Sequence, residues 1–154
     1  MNSPHPLGGD TVRPAASASG LDPSPVNVRV KIAAAWTSTM FVFAYVDLFG
    51  LYRADVRKEL ETGTIGGFAV GQPFLLATLA FVAVPSLMVL LALVLPPRLN
   101  RITNIALSCA YAAAIIAAAI GEWHYYLLGS AIELALLAAV AYWSWTWPRR
   151  PLQA

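Results

Sequence analysis

The sequence predicts an all-α integral membrane protein: a four-helix, up-down-up-down bundle with a disordered N-terminal tail. Three observations predict it. Of 154 residues, 58% are hydrophobic and 12% charged, against about 45–50% and about 25% in soluble domains. The apolar residues gather in four runs of about 20, which at roughly 1.5 Å per residue match a hydrocarbon core of about 30 Å. The links between the last three runs are short enough to force antiparallel neighbours. Eighteen charged residues (ten basic, eight acidic) are few for solvating a globule of this size. That excludes a water-soluble enzyme and a disordered protein. A net charge of +2 without a Lys/Arg block excludes a nucleic-acid binder. The partner the composition implies is the lipid bilayer.

Residues 1–28, rich in Pro, Gly, Ser and Ala, hold too few large apolar side chains to offset the entropy of ordering, so a disordered tail is expected. No continuous apolar run marks them as a cleavable signal peptide, and His5 reads as a solvated tail residue. The transmembrane domain is expected over 29–148, with spans at about 32–52, 73–95, 102–121 and 126–147, and a short tail at 149–154. Strands do not fit runs of this length and Ala/Leu content. In lipid the backbone must be satisfied within the segment, which makes helix the default. Pro96 to Arg101 and Glu122 to Tyr125 read as the two short links. Pro85 predicts a kink in span two, with Ser86 helping to satisfy the freed carbonyl. Ala106, Ala110, Ala114 and Ala118 form a small-residue stripe suited to tight helix packing. The sole cysteine, Cys109, reads as a small hydrophobe packed inside a helix. It excludes the small four-span thiol oxidoreductases linked to quinones, which need paired cysteines.

Counting Lys and Arg by side orients the bundle. The side carrying both termini holds Arg13, Arg29, Lys31, Arg98, Arg101, Arg149 and Arg150, and the other holds Arg53, Arg57 and Lys58. Both termini are therefore expected in the cytoplasm, in a bacterial inner membrane. Trp143, Trp145 and Trp147 followed by Pro148-Arg149-Arg150 resemble an interfacial aromatic belt with a basic stop. The outer loop, 53–72, opens with a charged stretch that suggests a short surface helix, its like-signed pairs offset by neighbours such as Asp55 and Lys58. The glycines from Gly63 to Gly71 lack the Gly-Lys-Ser/Thr ending of a phosphate loop. They read as a flexible connector, with a lid over the bundle mouth as the functional alternative.

Ionisable groups inside spans are costly and mark functional sites by default. Two stand out. Asp47 lies about 7 Å and Glu133 about 10 Å from the outer ends of their spans by helical rise, so one acidic layer in the outer half is expected. Glu122 and His124 sit just above it, Gln72 enters from span two, and Arg53 caps span one. Gly129 and Ser130, one turn before Glu133, let another helix approach closely. Three readings of the layer stay open. The carboxylates are buried and hydrogen-bonded to Tyr, Trp or Arg53 as helix-to-helix glue. They line a pocket for a small cation, a proton or a small polar solute, where two close carboxylates share a proton. Or they form, with His124 and Glu122, a metal site, although no HExxH-type spacing supports one. No cofactor is identifiable. The leading expectation is a small transport or binding protein, a transport role requiring a homo-oligomer because four spans leave little room for a pore. The alternative is a structural or assembly protein, and a membrane enzyme comes third.

Six stretches stand out: Tyr45-Val-Asp-Leu-Phe-Gly-Leu-Tyr52, Gly63-Thr-Ile-Gly-Gly-Phe68, Pro85-Ser-Leu-Met88, Asn100-Arg101-Ile-Thr-Asn104, His124-Tyr125 with Ile132-Glu133, and Trp145-Thr-Trp147-Pro148. Together they resemble a bacterial family of small four-span membrane proteins catalogued as a domain of unknown function. The resemblance covers about residues 30–148. It implies the four-span fold, places Asp47, His124 and Glu133 within recurring stretches, and leaves activity open.

Overall fold

Asn27 starts the first helix: its side-chain oxygen accepts from the Arg29 backbone N–H at 2.9 Å, satisfying one of the orphan donors of a helix N-terminus. A computed structural model describes residues 26–147. It contains α1 (Val28–Gly50), α2 (Ala54–Glu61), β1 (Thr64–Ile65), β2 (Phe68–Ala69), α3 (Gln72–Val94), α4 (Pro97–Ala118) and α5 (His124–Trp145). Four of these helices, α1, α3, α4 and α5, are long and apolar enough to cross a membrane. The tail from 1 to 25, the 149–154 tail and the basic stop at Arg149-Arg150 lie outside the described residues.

Around the bundle, α1 packs between α3 and α5, α5 packs on α4, and a thinner seam joins α3 to α4. We call the end with both chain termini the terminal side and the other the loop side. α3 presents Leu75, Leu76, Leu79, Leu87 and Leu90 outward. In water such a patch would drive association, whereas against lipid it is the ordinary face of a spanning helix.

The buried core lies toward the terminal side, and its centre is polar. The Trp36 indole N–H donates to Asn104 Oδ1 at 2.7 Å. The Asn104 amide donates to the backbone and side-chain oxygens of Asn100. The Asn100 amide donates to Ala92 O at 2.6 Å. All four residues are fully buried, and the chain of bonds ties α1, α4 and the last turn of α3 together. α3 stops at Leu95-Pro96-Pro97 without a glycine cap, so its last carbonyls need outside donors. Asn100 serves Ala92, and Arg29 Nη1 serves Leu93 at 2.6 Å.

Several expectations are corrected. α4 begins at Pro97, so Arg98 to Arg101 form its first turn and the link shrinks to Leu95-Pro96; proline suits a first helical position, where its missing N–H costs nothing. The buried face of α4 is Asn100, Asn104, Ser108, Tyr111 and Ile115. Ala106, Ala110 and Ala118 are exposed and Ala114 is half-buried, so within one chain the alanine stripe is no helix contact. Cys109 is exposed on the same helix rather than packed. Ser86 Oγ donates to Val82 O at 2.8 Å, not to the carbonyl freed by Pro85. That carbonyl, Phe81 O, accepts from the Tyr111 hydroxyl at 2.6 Å.

The 53–72 loop folds into α2 and a two-stranded hairpin. Gly66 and Gly67, at φ 55° and 82°, supply the two left-handed residues of a tight turn between β1 and β2. Glu59 of α2 holds that turn, its Oε2 accepting from Gly66 N at 2.7 Å. The glycine run thus forms the turn of a hairpin. Phe68 stacks on Phe74, ring centroids 6.4 Å apart, which sets the hairpin beside the start of α3.

Candidate functional site

A cavity of about 140 Å³ opens in the loop-side half of the bundle, walled by all four long helices. α1 contributes Phe43 and Asp47, α3 contributes Thr78 and Phe81, and α5 contributes Tyr126 and Glu133. The Tyr111–Phe81 bond sits at its edge, where α3 meets α4. The volume is close to that of an engineered cavity that holds one benzene, about 150 Å³. A ligand of a few heavy atoms fits.

The two carboxylates differ in setting. Glu133 is 3% exposed, and its Oε1 has no hydrogen-bond partner. Asp47 is exposed. They are also staggered. A Cβ on Gly129 would clash with Val46 and touch Val42, which sets Gly129 level with that turn of α1. Because α1 and α5 are antiparallel, Glu133 lies about five residues, somewhat over one helical turn or roughly 7.5 Å, deeper than Asp47. The expected single layer is thus a two-step arrangement in one cavity. The missing side chain at Gly129 lets α5 close on α1 at this turn.

The other predicted residues lie elsewhere. Arg53, expected to cap span one, is the residue preceding α2, and its guanidinium is a hub on the loop side. It donates to Glu122 Oε2 at 2.6 Å and to Asp55 Oδ2 at 2.6 Å, and lies 4.4 Å over the Trp123 ring. The hub joins the α1–α2 corner to the α4–α5 turn, so Arg53 is not the counter-ion of either intramembrane carboxylate. Hydrogen bonding to Arg53 holds the Asp55 carboxyl below the usual range, so Asp55 pairs with Arg53 rather than Lys58. His124 is the exposed first residue of α5, and Gln72 is the exposed first residue of α3. Neither lines the cavity. Among the described residues, no group of three His, Cys, Asp or Glu side chains is placed to hold a metal ion. No residue from the hairpin lines the cavity either, so the 53–72 loop does not cover it here.

Sequence reasoning missed the aromatic wall and Tyr126. Their signal was a position one or two turns from Asp47 or Glu133, with Phe43 four before the aspartate and Tyr126 seven before the glutamate. Which of many intramembrane aromatics face the cavity depends on helix rotation, which spacing alone leaves open.

Four apolar helices of spanning length around a cavity with two carboxylates define the class: a multi-pass membrane protein with an ionisable intramembrane cavity. The chain belongs to DUF6326, a family of unknown function whose model matches residues 27–154. No curated protein and no solved structure matches it.

Proposed function

We propose that the protein binds a small organic monocation of the alkylammonium class in this cavity, as a membrane binding or transport protein. The observation that carries the reading is Glu133, a carboxylate 3% exposed with an unpartnered oxygen, in a cavity shared with Asp47. An ionised carboxylate at membrane depth costs several kcal/mol unless compensated. A cation between the two carboxylates supplies that compensation. The walls favour an organic ion over a bare metal ion, because the aromatic side chains Phe43, Phe81 and Tyr126 line the cavity and aromatic rings attract ammonium groups. Asp47, exposed and a turn nearer the loop side, is the residue a ligand meets first. With both termini in the cytoplasm, that side is the outer one. Transport by so thin a bundle needs a homo-oligomer.

The test is binding of methylammonium to the purified full chain in detergent, with flux of the same ion in proteoliposomes. Glu133→Gln should weaken binding at least about tenfold, equivalent to about 1.4 kcal/mol. It should leave the thermal midpoint unchanged or raised, because it removes an uncompensated charge. Unaltered binding together with a lowered midpoint overturns the proposal in favour of helix glue. An assembly role is the second reading, favoured by the exposed Ala106 and Ala110 on α4, small residues onto which another helix can pack closely.

A further inference from the structure

On the terminal side, far from the acidic cavity, α4 and α5 form a groove of about 500 Å³. Arg98 and Arg101 stand at its mouth, Trp145 forms one wall, and Ile102, Ile105 and Ala106 continue it along α4 toward the membrane interior. Arg98 and Arg101 are three apart in the first turns of α4 and therefore share a face. The Arg101 guanidinium lies 5.3 Å over the Trp145 ring, which fixes its position and leaves its N–H edge for another partner.

The charge distribution says what that partner must be. Among the described residues, the acids are Asp47, Asp55, Glu59, Glu61, Glu122 and Glu133, all on the loop-side half. None reaches the terminal side. The ion pairs formed among those residues belong to Arg53, and no hydrogen bond engages the side chain of Arg98 or Arg101 there. The neighbouring Arg29 is already committed to Leu93 O and Trp147. Two adjacent cations at the membrane surface, continuous with an apolar trough one to two turns long, match an anion attached to a hydrocarbon chain.

We propose that this groove binds an anionic phospholipid, with the headgroup phosphate held between Arg98 and Arg101 and an acyl chain along Ile102, Ile105 and Ala106. Arginine suits the phosphate because its planar fork donates two parallel N–H bonds. Basic pockets between helices at the membrane surface are a general means of lipid headgroup recognition. A free phosphate would use only the mouth and leave the trough empty.

The experiment uses the purified full chain in a non-ionic detergent, titrated with phosphatidylglycerol, with phosphatidylcholine or with inorganic phosphate, and reads the thermal midpoint and lipid retention by native mass spectrometry. Phosphatidylglycerol should be retained and raise the midpoint, with an effect that shrinks as salt screens the arginines. Phosphatidylcholine and inorganic phosphate should do neither. The Arg98→Gln/Arg101→Gln double variant should bind phosphatidylglycerol at least tenfold more weakly, while Arg57→Gln on the loop side should bind as the parent does. Ala106→Trp keeps both arginines but fills the trough. It should also lose the lipid, which keeps the test decisive should the arginine variant fail to fold. Equal retention of phosphatidylcholine, the same stabilisation by inorganic phosphate, or undiminished phosphatidylglycerol binding by either groove variant overturns the proposal.

Discussion

The Tyr111 hydroxyl donates to the Phe81 carbonyl at 2.6 Å, the carbonyl that Pro85 leaves without its helical N–H. Proline both removes that donor and crowds the carbonyl four residues earlier, and α4 supplies the missing bond. The same ring pair, centroids 4.8 Å apart, borders the acidic cavity. Pro85 and Phe81 both line that cavity, so the bond that satisfies the freed carbonyl lies beside it.

Tyr111→Phe should therefore lower stability by about 1 kcal/mol, the scale of a hydrogen bond between membrane helices. Pro85→Ala restores an N–H for Phe81 O. In that background the tyrosine change should cost clearly less, and a double-mutant cycle in detergent unfolding measures the coupling. Additive costs would mean that Tyr111 does not serve this carbonyl.

Gly129 governs how closely α5 approaches α1. A methyl there meets Val46 directly, and valine is stiff at χ1, so Gly129→Ala should destabilise by about 1–3 kcal/mol as overpacking does. Val46→Ala in the same chain should recover part of that loss. If the single variant unfolds at the parental midpoint, the helices are not in contact at this turn.

The loop-side hub has a pH signature with a definite sign. Asp55 has a folded-state pKa below its ordinary value, chiefly because Arg53 donates to it. Its contribution is fully present above an unfolded pKa of about 3.9 and is lost as the pH falls through the lower folded value. The midpoint difference between the parent and Asp55→Asn should stay flat from pH 8 to 5 and shrink only below about pH 4. A difference that fades between pH 7 and 5 would show that Arg53 does not hold this carboxylate.

Topology is testable at Thr62, which ends α2 on the loop side. In a Cys109→Ala background, Thr62→Cys should react with an impermeant maleimide applied to intact cells. Reaction only after lysis would place both termini outside.

Much of the fold was legible because it rests on local, one-dimensional properties. Run length, Leu/Ala content and short links determined four antiparallel apolar helices, and the cost of charge in lipid singled out Asp47 and Glu133. Helix ends were less legible. Pro97 read as part of a link because Arg98, Asn100 and Arg101 look like loop residues, yet Asn100 and Asn104 are buried in the bond network that runs from Trp36 to Ala92. A polar residue in a sequence does not reveal its hydrogen-bond partner, and in lipid that partner decides which side it faces.

Only the tertiary structure decided the rest. It placed the two carboxylates in one cavity yet a turn apart, took Arg53 away to Asp55 and Glu122, and left His124 and Gln72 exposed. It also turned the alanine stripe outward and Asn100 inward on the same helix. The physical reason is helix rotation. On helices apolar nearly all round, hydrophobic patterning gives little preference for one face over another. The faces are then chosen by a few specific devices: a glycine that admits a neighbour, a proline that frees a carbonyl, and buried amides that must find partners.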